Sequence, residues 1–321
     1  MYEIKTFSVE HVREADTYTL NTNNIKLPDG SIPSDYLDKA NEVSTENWID
    51  LLHPGKSRIL KIDEADIGWM IRANKFDMLR TGWLRVFKEE FEYMCEKYAP
   101  VLKELIGERS DREQREPERS EGGRKRSERG ERSEPGKWFV RTSQYSLKYS
   151  GYFQPLTGDS IEPLIKGLVS FVRGHSGVND FMDSGKDKLL FFLPWQNINP
   201  DHEFRIFVKD QKITAISQQK LFRVNTWLCR LSSLELEKVI DNILEEFYLK
   251  IRSKLEKFND YVLDFTFIRN SEGELIGYPI EINQFGQEYG AGSALYEWTA
   301  DHDLLYGLTN NVGFRFVDRK N

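Results

Sequence analysis

Tyr261-Val-Leu-Asp-Phe-Thr-Phe-Ile268 and Ile280-Glu-Ile-Asn-Gln-Phe-Gly286, joined through Arg269-Asn-Ser-Glu-Gly273, decide how this chain is read. Both runs alternate like strands, and the connection between them has turn chemistry. A turn centred between Glu272 and Gly273 makes antiparallel partners sum to 545, which sets Asp264 opposite Glu281. Asn283 shares Glu281's face, because side chains repeat every second residue along a strand. Three oxygen-bearing side chains then converge on one side of a hairpin. Such a set suits Mg²⁺, a hard cation that takes one or two carboxylates and completes its shell with substrate phosphates and water. The alternative is a solvated sheet face that happens to be acidic.

Around this hairpin, 321 residues allow one large domain or two smaller ones, and 39% hydrophobic with 13% aromatic residues can build a sizeable core. The net charge of −7 argues against a nucleic-acid partner. The sequence has no run of 18 apolar residues, so no membrane association is expected. The opening Met1-Tyr-Glu-Ile-Lys-Thr lacks the pattern of a signal peptide, and two distant cysteines, Cys95 and Cys229, fit a reducing compartment. A cytoplasmic monomer is the expectation. Five histidines form no cluster with metal-ligand spacing, which speaks against zinc.

Apolar residues from Trp83 to Leu105 recur at three and four, predicting an amphipathic helix that Pro100 kinks or splits. Residues 107–136 are almost all Glu, Arg, Ser and Gly, with both charge signs interleaved. Such a stretch has nothing to bury, and a disordered, solvated insert is expected. Strands are predicted over Trp138–Ser143, Leu189–Trp195, Glu203–Val208 and Lys212–Ser217, with helices over Ile161–Val172 and Ser233–Phe258. A last helix-like stretch is expected to begin near Ser293. The sum is an α+β pattern of mainly antiparallel strands with helices packed on them.

Glu203 and Arg205, two apart on one strand, share a face. A charged pair on an otherwise apolar strand needs a partner, and phosphate or an ion pair to the neighbouring strand satisfies it equally well. Arg141 also lies on a strand, and Ser146 and Lys148 follow in a polar turn able to close over phosphates. No Gly-x-x-x-x-Gly-Lys-Ser/Thr loop, Gly-x-Gly-x-x-Gly fingerprint or Gly-x-Ser-x-Gly elbow occurs, which excludes P-loop, Rossmann and serine-hydrolase readings.

Taken in order, Phe139-Val-Arg-Thr-Ser-Gln-Tyr-Ser-Leu-Lys148, Leu190-Phe-Phe-Leu-Pro-Trp195, Glu203-Phe-Arg-Ile-Phe-Val-Lys209, Ile213-Thr-Ala-Ile-Ser-Gln218, Leu263-Asp-Phe265, Ile280-Glu-Ile-Asn-Gln-Phe-Gly286 and Ser293-Ala-Leu-Tyr-Glu-Trp298 resemble the cell division cycle protein 123 family, a divergent branch of the ATP-grasp proteins. The resemblance implies an ATP-grasp-like α+β fold of two lobes with an ATP cleft between them. Residues 1–106 would form an N-terminal lobe, 107–136 the insert, and 137–321 the core carrying nucleotide and metal. It also implies roles. Arg141, Lys148 and Arg205 would meet phosphates, Phe191, Phe192 and Leu193 the adenine edge through their backbone, and Glu203 would belong to the same site. Asp264, Glu281 and Asn283 would hold magnesium. Arg141 stands where the family usually has Lys, Glu281 where it has Asp, and Leu147 where it has Pro. The implied function is an ATP-dependent assembly chaperone that binds the gamma subunit of eukaryotic translation initiation factor 2. The competing reading is an ATP-grasp ligase that activates a carboxylate, or one that acts on RNA ends.

Overall fold

A computed structural model describes residues 1–15, 20, 22, 31–76, 82–107, 136–147, 155–157, 160–170, 176, 188–270, 272–289 and 291–319. The charged insert therefore lies outside the described residues except at its two ends, and Lys148 lies outside them as well. The chain divides into two compact units, one made of Met1–Leu52 and Asn197–Asn321, the other of His53–Gln196. This division runs across the boundaries drawn from sequence: residues 1–106 and 137–321 are each shared between the units.

The strands, in chain order, are β1 (Tyr2–Phe7), β2 (Arg58–Lys61), β3 (Lys137–Arg141), β4 (Leu156–Thr157), β5 (Leu189–Pro194), β6 (Glu203–Lys209), β7 (Lys212–Gln218), β8 (Tyr261–Arg269), β9 (Leu275–Asn283) and β10 (Val312–Val317). Among the described residues the first unit holds a six-stranded sheet ordered β1-β10-β7-β6-β8-β9, and the second a four-stranded sheet ordered β2-β5-β3-β4. The larger sheet is mixed, since β1, β10 and β7 run parallel while β7, β6, β8 and β9 pair antiparallel. The α+β class and the packed helices match the expectation, with a larger parallel share than antiparallel patterning suggested.

Local chemistry accounts for most elements. β6 and β7 join through Asp210 and Gln211, both at positive φ (49° and 60°), the conformation a two-residue primed hairpin turn demands. The Asp210 N–H donates to Asp260 Oδ1, and the Gln211 N–H donates to the Asn259 carbonyl, so the strained turn is tied to the start of β8. Helix Ser233–Glu246 opens on a capping box between Ser232 and Glu235. It buries Leu236, Val239, Ile240 and Ile243, which recur at three and four along the helix. It stops at Glu246, where a π turn (Phe247–Ile251) and a 3-10 turn (Arg252–Leu255) take over the rest of the stretch expected to be helical.

Three sequence expectations need correction. Pro100 does not split its helix, which runs unbroken from Lys88 to Gly107. The break falls earlier, at Phe87, where the short helix Trp83–Val86 ends. The stretch from Ser293 is turns and bends, followed by the short helix His302–Leu305 and then β10. β10 escaped notice because Val-Gly-Phe-Arg-Phe-Val, buried almost throughout, lacks the alternation of a half-solvated strand.

In the second unit, Leu60, Ile67, Trp69, Trp83, Met94, Leu102, Val140, Leu168, Leu190 and Phe192 belong to one apolar core. In the first, Phe207, Ala215, Val262, Phe285, Tyr296 and Trp298 cluster on the sheet face that also carries Asp264. At the end of helix Ser233–Glu246, Glu246 lies over Gly277, where an added Cβ would meet both it and Phe265 at 2.8 Å. Gly277 and Phe265 belong to the opposite face, so the end of this helix covers the sheet's other side.

Candidate nucleotide and metal site

β8 and β9 form the hairpin anticipated from sequence, and Asp264 pairs with Glu281, as Val262 does with Asn283. The register is reached by a different route. From Phe265 onward the partners sum to one less, and Ile280 is the extra residue of a β-bulge between the two registers. The preceding Pro279 has no N–H to give a ladder, which favours such a break. Gly273 closes the turn at φ +85° and donates its N–H to the Asn270 carbonyl. Asp264, Glu281 and Asn283 therefore share one face of the sheet.

The row does not stop at the hairpin. Register places Lys5, Arg315, Ser217, Arg205, Asp264 and Glu281 side by side across the six strands. Arg205 grips Asp264 with two parallel hydrogen bonds of 2.9 Å, Nε to Oδ1 and Nη2 to Oδ2, and its Nη1 donates to the Gly292 carbonyl at 2.8 Å. Gln219 Nε2 adds a bond of 3.2 Å to Asp264 Oδ2. The side chains of Arg205 and Asp264 are only 12% and 1% exposed. Burial pulls the Arg205 pKa down, but Asp264, then Glu281 and Glu203, overcome it and hold the guanidinium above its ordinary value. Arg205 is thus a fully engaged cation. Between the two partners that sequence left open, phosphate and neighbouring strand, this structure shows the strand.

Glu203 sits one step along β6, opposite Thr266, and pairs with Lys220 at 3.1 Å. Lys220, part of Gln218-Gln219-Lys220 at the end of β7, was not singled out from sequence, nor were Gln219 and the Gly292 carbonyl. Two adjoining glutamines after an apolar strand were the available signal. Arg315 was also missed. It binds Asp301 with two hydrogen bonds, lies over the Tyr296 ring at 4.0 Å and serves as an internal brace.

The remaining candidates belong to the other unit. Arg141 ends β3, buried, opposite Phe191 and bridged to Ser146. The turn after it folds back, with the Thr142 N–H donating to the Tyr145 carbonyl and that of Leu147 to the Val140 carbonyl. Phe191 and Phe192 are paired on both sides, to β2 and to β3, whereas Leu193 is paired to β3 alone. Backbone groups with ladder bonds on each side are poorly placed to read a ligand's edge, so Leu193 is the best placed of the three.

Whether the donor set fits magnesium turns on free oxygen capacity. Among the described residues no three His, Cys, Asp or Glu side chains gather as a metal-holding group; the set is two carboxylates and one amide. Asp264 accepts three hydrogen bonds, and a carboxylate offers about four lone-pair sites. Asn283 would ligate through Oδ1; its buried Nδ2, without a hydrogen-bond partner, is a donor and takes no part in holding a cation. All three are hard donors sharing a face. The residues fit the ion. Neither cysteine offers alternative chemistry, since burial first of all pushes both thiols up to about 11.

Residues 180–321 match the D123 family model. Over 135 residues, 42% of this chain and 36% of the relative, it is 30% identical to the translation initiation factor eIF2 assembly protein of Candida albicans. Over 175 residues, 52% and 51% of the two chains, it is 25% identical to a putative CDC123-like protein of Acanthamoeba polyphaga mimivirus. The matched stretches span about a third to a half of these curated relatives. Among solved structures, Cdc123 from Schizosaccharomyces pombe superposes with a TM-score of 0.55 at 14% identity, covering 87% of this chain and 97% of that one. At that identity the likeness speaks for the fold, and the α+β architecture described above is that of Cdc123. Family model, curated relatives and solved structure point the same way: over residues 180–321 this chain is similar to the D123 family, and its fold is similar to that of Cdc123.

Proposed function

We propose that this chain is an assembly chaperone for translation initiation factor 2, that it takes ATP with magnesium on the face bearing Asp264, and that it engages the factor's gamma subunit. The observation that carries this is the buried row Arg205–Asp264–Glu281, with Asn283 beside it. Stability alone does not call for such a row, because apolar residues of similar volume often serve a core as well as a buried ion pair or better. The row lies within the residues that match the family, and relatives are named for assembly of that factor.

The residues divide the labour. Arg205 and Gln219 fix the orientation of Asp264, leaving Glu281 and Asn283 to complete an oxygen-donor set. Magnesium, when bound, would neutralise phosphate charge there. Arg205, anchored at all three nitrogens, acts as a positioning residue for Asp264 rather than as a free phosphate clamp.

Pull-down of the purified gamma subunit by the full chain, with and without Mg-ATP, tests the proposal. Capture that strengthens with Mg-ATP is expected. Absence of capture, alongside ATP turnover stimulated by a small carboxylic acid, would instead favour a ligase.

A further inference from the structure

Past Asn283 the chain turns through Gln284-Phe285-Gly286 and helps to wall a hollow of about 190 Å³ within the unit of the six-stranded sheet. Phe285, Tyr289 and Tyr306 give it aromatic faces, and Glu42 and Asp260 give it carboxylates. Volume decides the class of guest. Sites for drug-sized ligands run to roughly 300–1,000 Å³, so this hollow is too small for a nucleotide and suits one side-chain-sized group.

Its walls are held from behind. The Tyr289 hydroxyl hydrogen-bonds both Asp35 oxygens at 3.0 Å, and its ring stacks on Tyr36 at 6.2 Å. Phe285 stands edge-on to Trp298 and Tyr306 at 5.1 and 5.2 Å, and Tyr306 lies flat on His302 at 4.2 Å. Gly286 adopts φ +124°, and a Cβ there would come within 2.8 Å of the Tyr289 ring. Only glycine combines that backbone with that contact. A cavity lined by braced rings is preorganised rather than a packing gap.

Both carboxylates of the lining already hold cations. Lys39, the basic lining residue, is already tied to Glu42 at 3.1 Å, and Asp260 is held by Lys209 at 2.6 Å. Burial and the hydrogen bond it donates to Asp35 push the Tyr289 hydroxyl up to about 12, and burial with Glu288 raises that of Tyr306. Both phenols are thus discouraged from becoming anions.

We propose that this hollow seats a guanidinium group, stacked against the tyrosine and phenylalanine rings and paired with Glu42, which exchanges Lys39 for the incoming cation. A flat, weakly hydrated guanidinium suits aromatic walls better than an ammonium. The guest is either an arginine side chain of a bound polypeptide or a free guanidinium compound. The inference goes beyond the nucleotide reading and needs neither metal nor ATP.

Ligand-observed NMR on the full chain without nucleotide or metal tests it, with N-acetyl-arginine amide as probe and N-acetyl-norleucine amide as control. Saturable binding of the arginine probe alone is expected, weakened about fivefold in Glu42→Gln and again in Tyr306→Leu. Glu42 is exposed enough that its conservative variant keeps the fold. A capped Gly-Arg-Gly that binds more tightly than the single capped residue supports a polypeptide source, and equal binding supports a free compound. Equal binding of norleucine, undiminished affinity in both variants, or no saturable binding by either arginine probe would overturn the proposal.

Discussion

The six-stranded sheet carries Lys5, Arg315, Ser217, Arg205, Asp264 and Glu281 in one transverse row, whereas the four-stranded sheet sets Leu60 against Leu190, Val140 against Phe192 and Trp138 against Leu156. The second arrangement is what stability alone favours: apolar pairs that need no partner beyond one another. The first obliges its buried charges, Arg315, Arg205, Asp264 and Glu281, to find a counter-charge in low dielectric, at a desolvation cost that an ion pair recovers only with good geometry. A protein that builds one sheet without such a row has no structural need of it in the other.

Substitutions separate the two sheets. Asp264→Ala leaves the buried Arg205 guanidinium uncompensated, and the largest loss is expected here, about 4 kcal/mol by chemical denaturation. A charge-free variant, Arg205→Met with Asp264→Leu, should recover most of it while binding no metal. A loss as large as the single variant's would mean that the row is structural. In the apolar sheet, Leu190→Ala should cost about 3 kcal/mol through the cavity it opens, with no companion substitution able to restore it by charge balance. The pair of the buried Glu203 and the more exposed Lys220 lies lower on the scale, and Lys220→Ala should cost about 1 kcal/mol.

His202 sharpens the contrast through pH. Burial, before any other influence, lowers its pKa below the ordinary 6.5, and its ring packs on Trp227 at 4.4 Å. The unfolded chain then takes up a proton that the folded one refuses. Stability is full above the ordinary value and falls as pH drops through it toward the lower folded value. Melting temperatures between about pH 7.5 and 5.5 should decline less steeply in His202→Phe than in the parent, and identical slopes would show that this ring titrates as in water.

Much of the site was legible because a hairpin's partners follow from its turn. Asp264 opposite Glu281 came out right although the turn centre was off, since the bulge at Ile280 restored the pairing. Bulges leave little trace in sequence beyond a proline such as Pro279. The grip of Arg205 on Asp264 was one of two options that strand alternation could not separate, because choosing between them requires the neighbouring strand's identity. β10 and its Arg315 were illegible for a related reason: a strand buried on both faces loses the period-two signal. Pro100 misled because the rest of its helix, packed through Phe91, Met94, Tyr98, Leu102 and Ile106, outweighs one lost backbone bond.

The account rests on Glu281 and Asn283 completing an oxygen site beside an Asp264 already fixed by Arg205. Isothermal titration of ATP in the presence of Mg²⁺, on the parent chain and on Glu281→Gln, addresses this most directly, since that variant keeps both shape and the Arg205–Asp264 pair. The account predicts magnesium-dependent binding to the parent, weakened about tenfold or more in the variant, with the nucleotide-free unfolding midpoint unchanged. Equal affinity in the two proteins, or binding indifferent to magnesium, would contradict it.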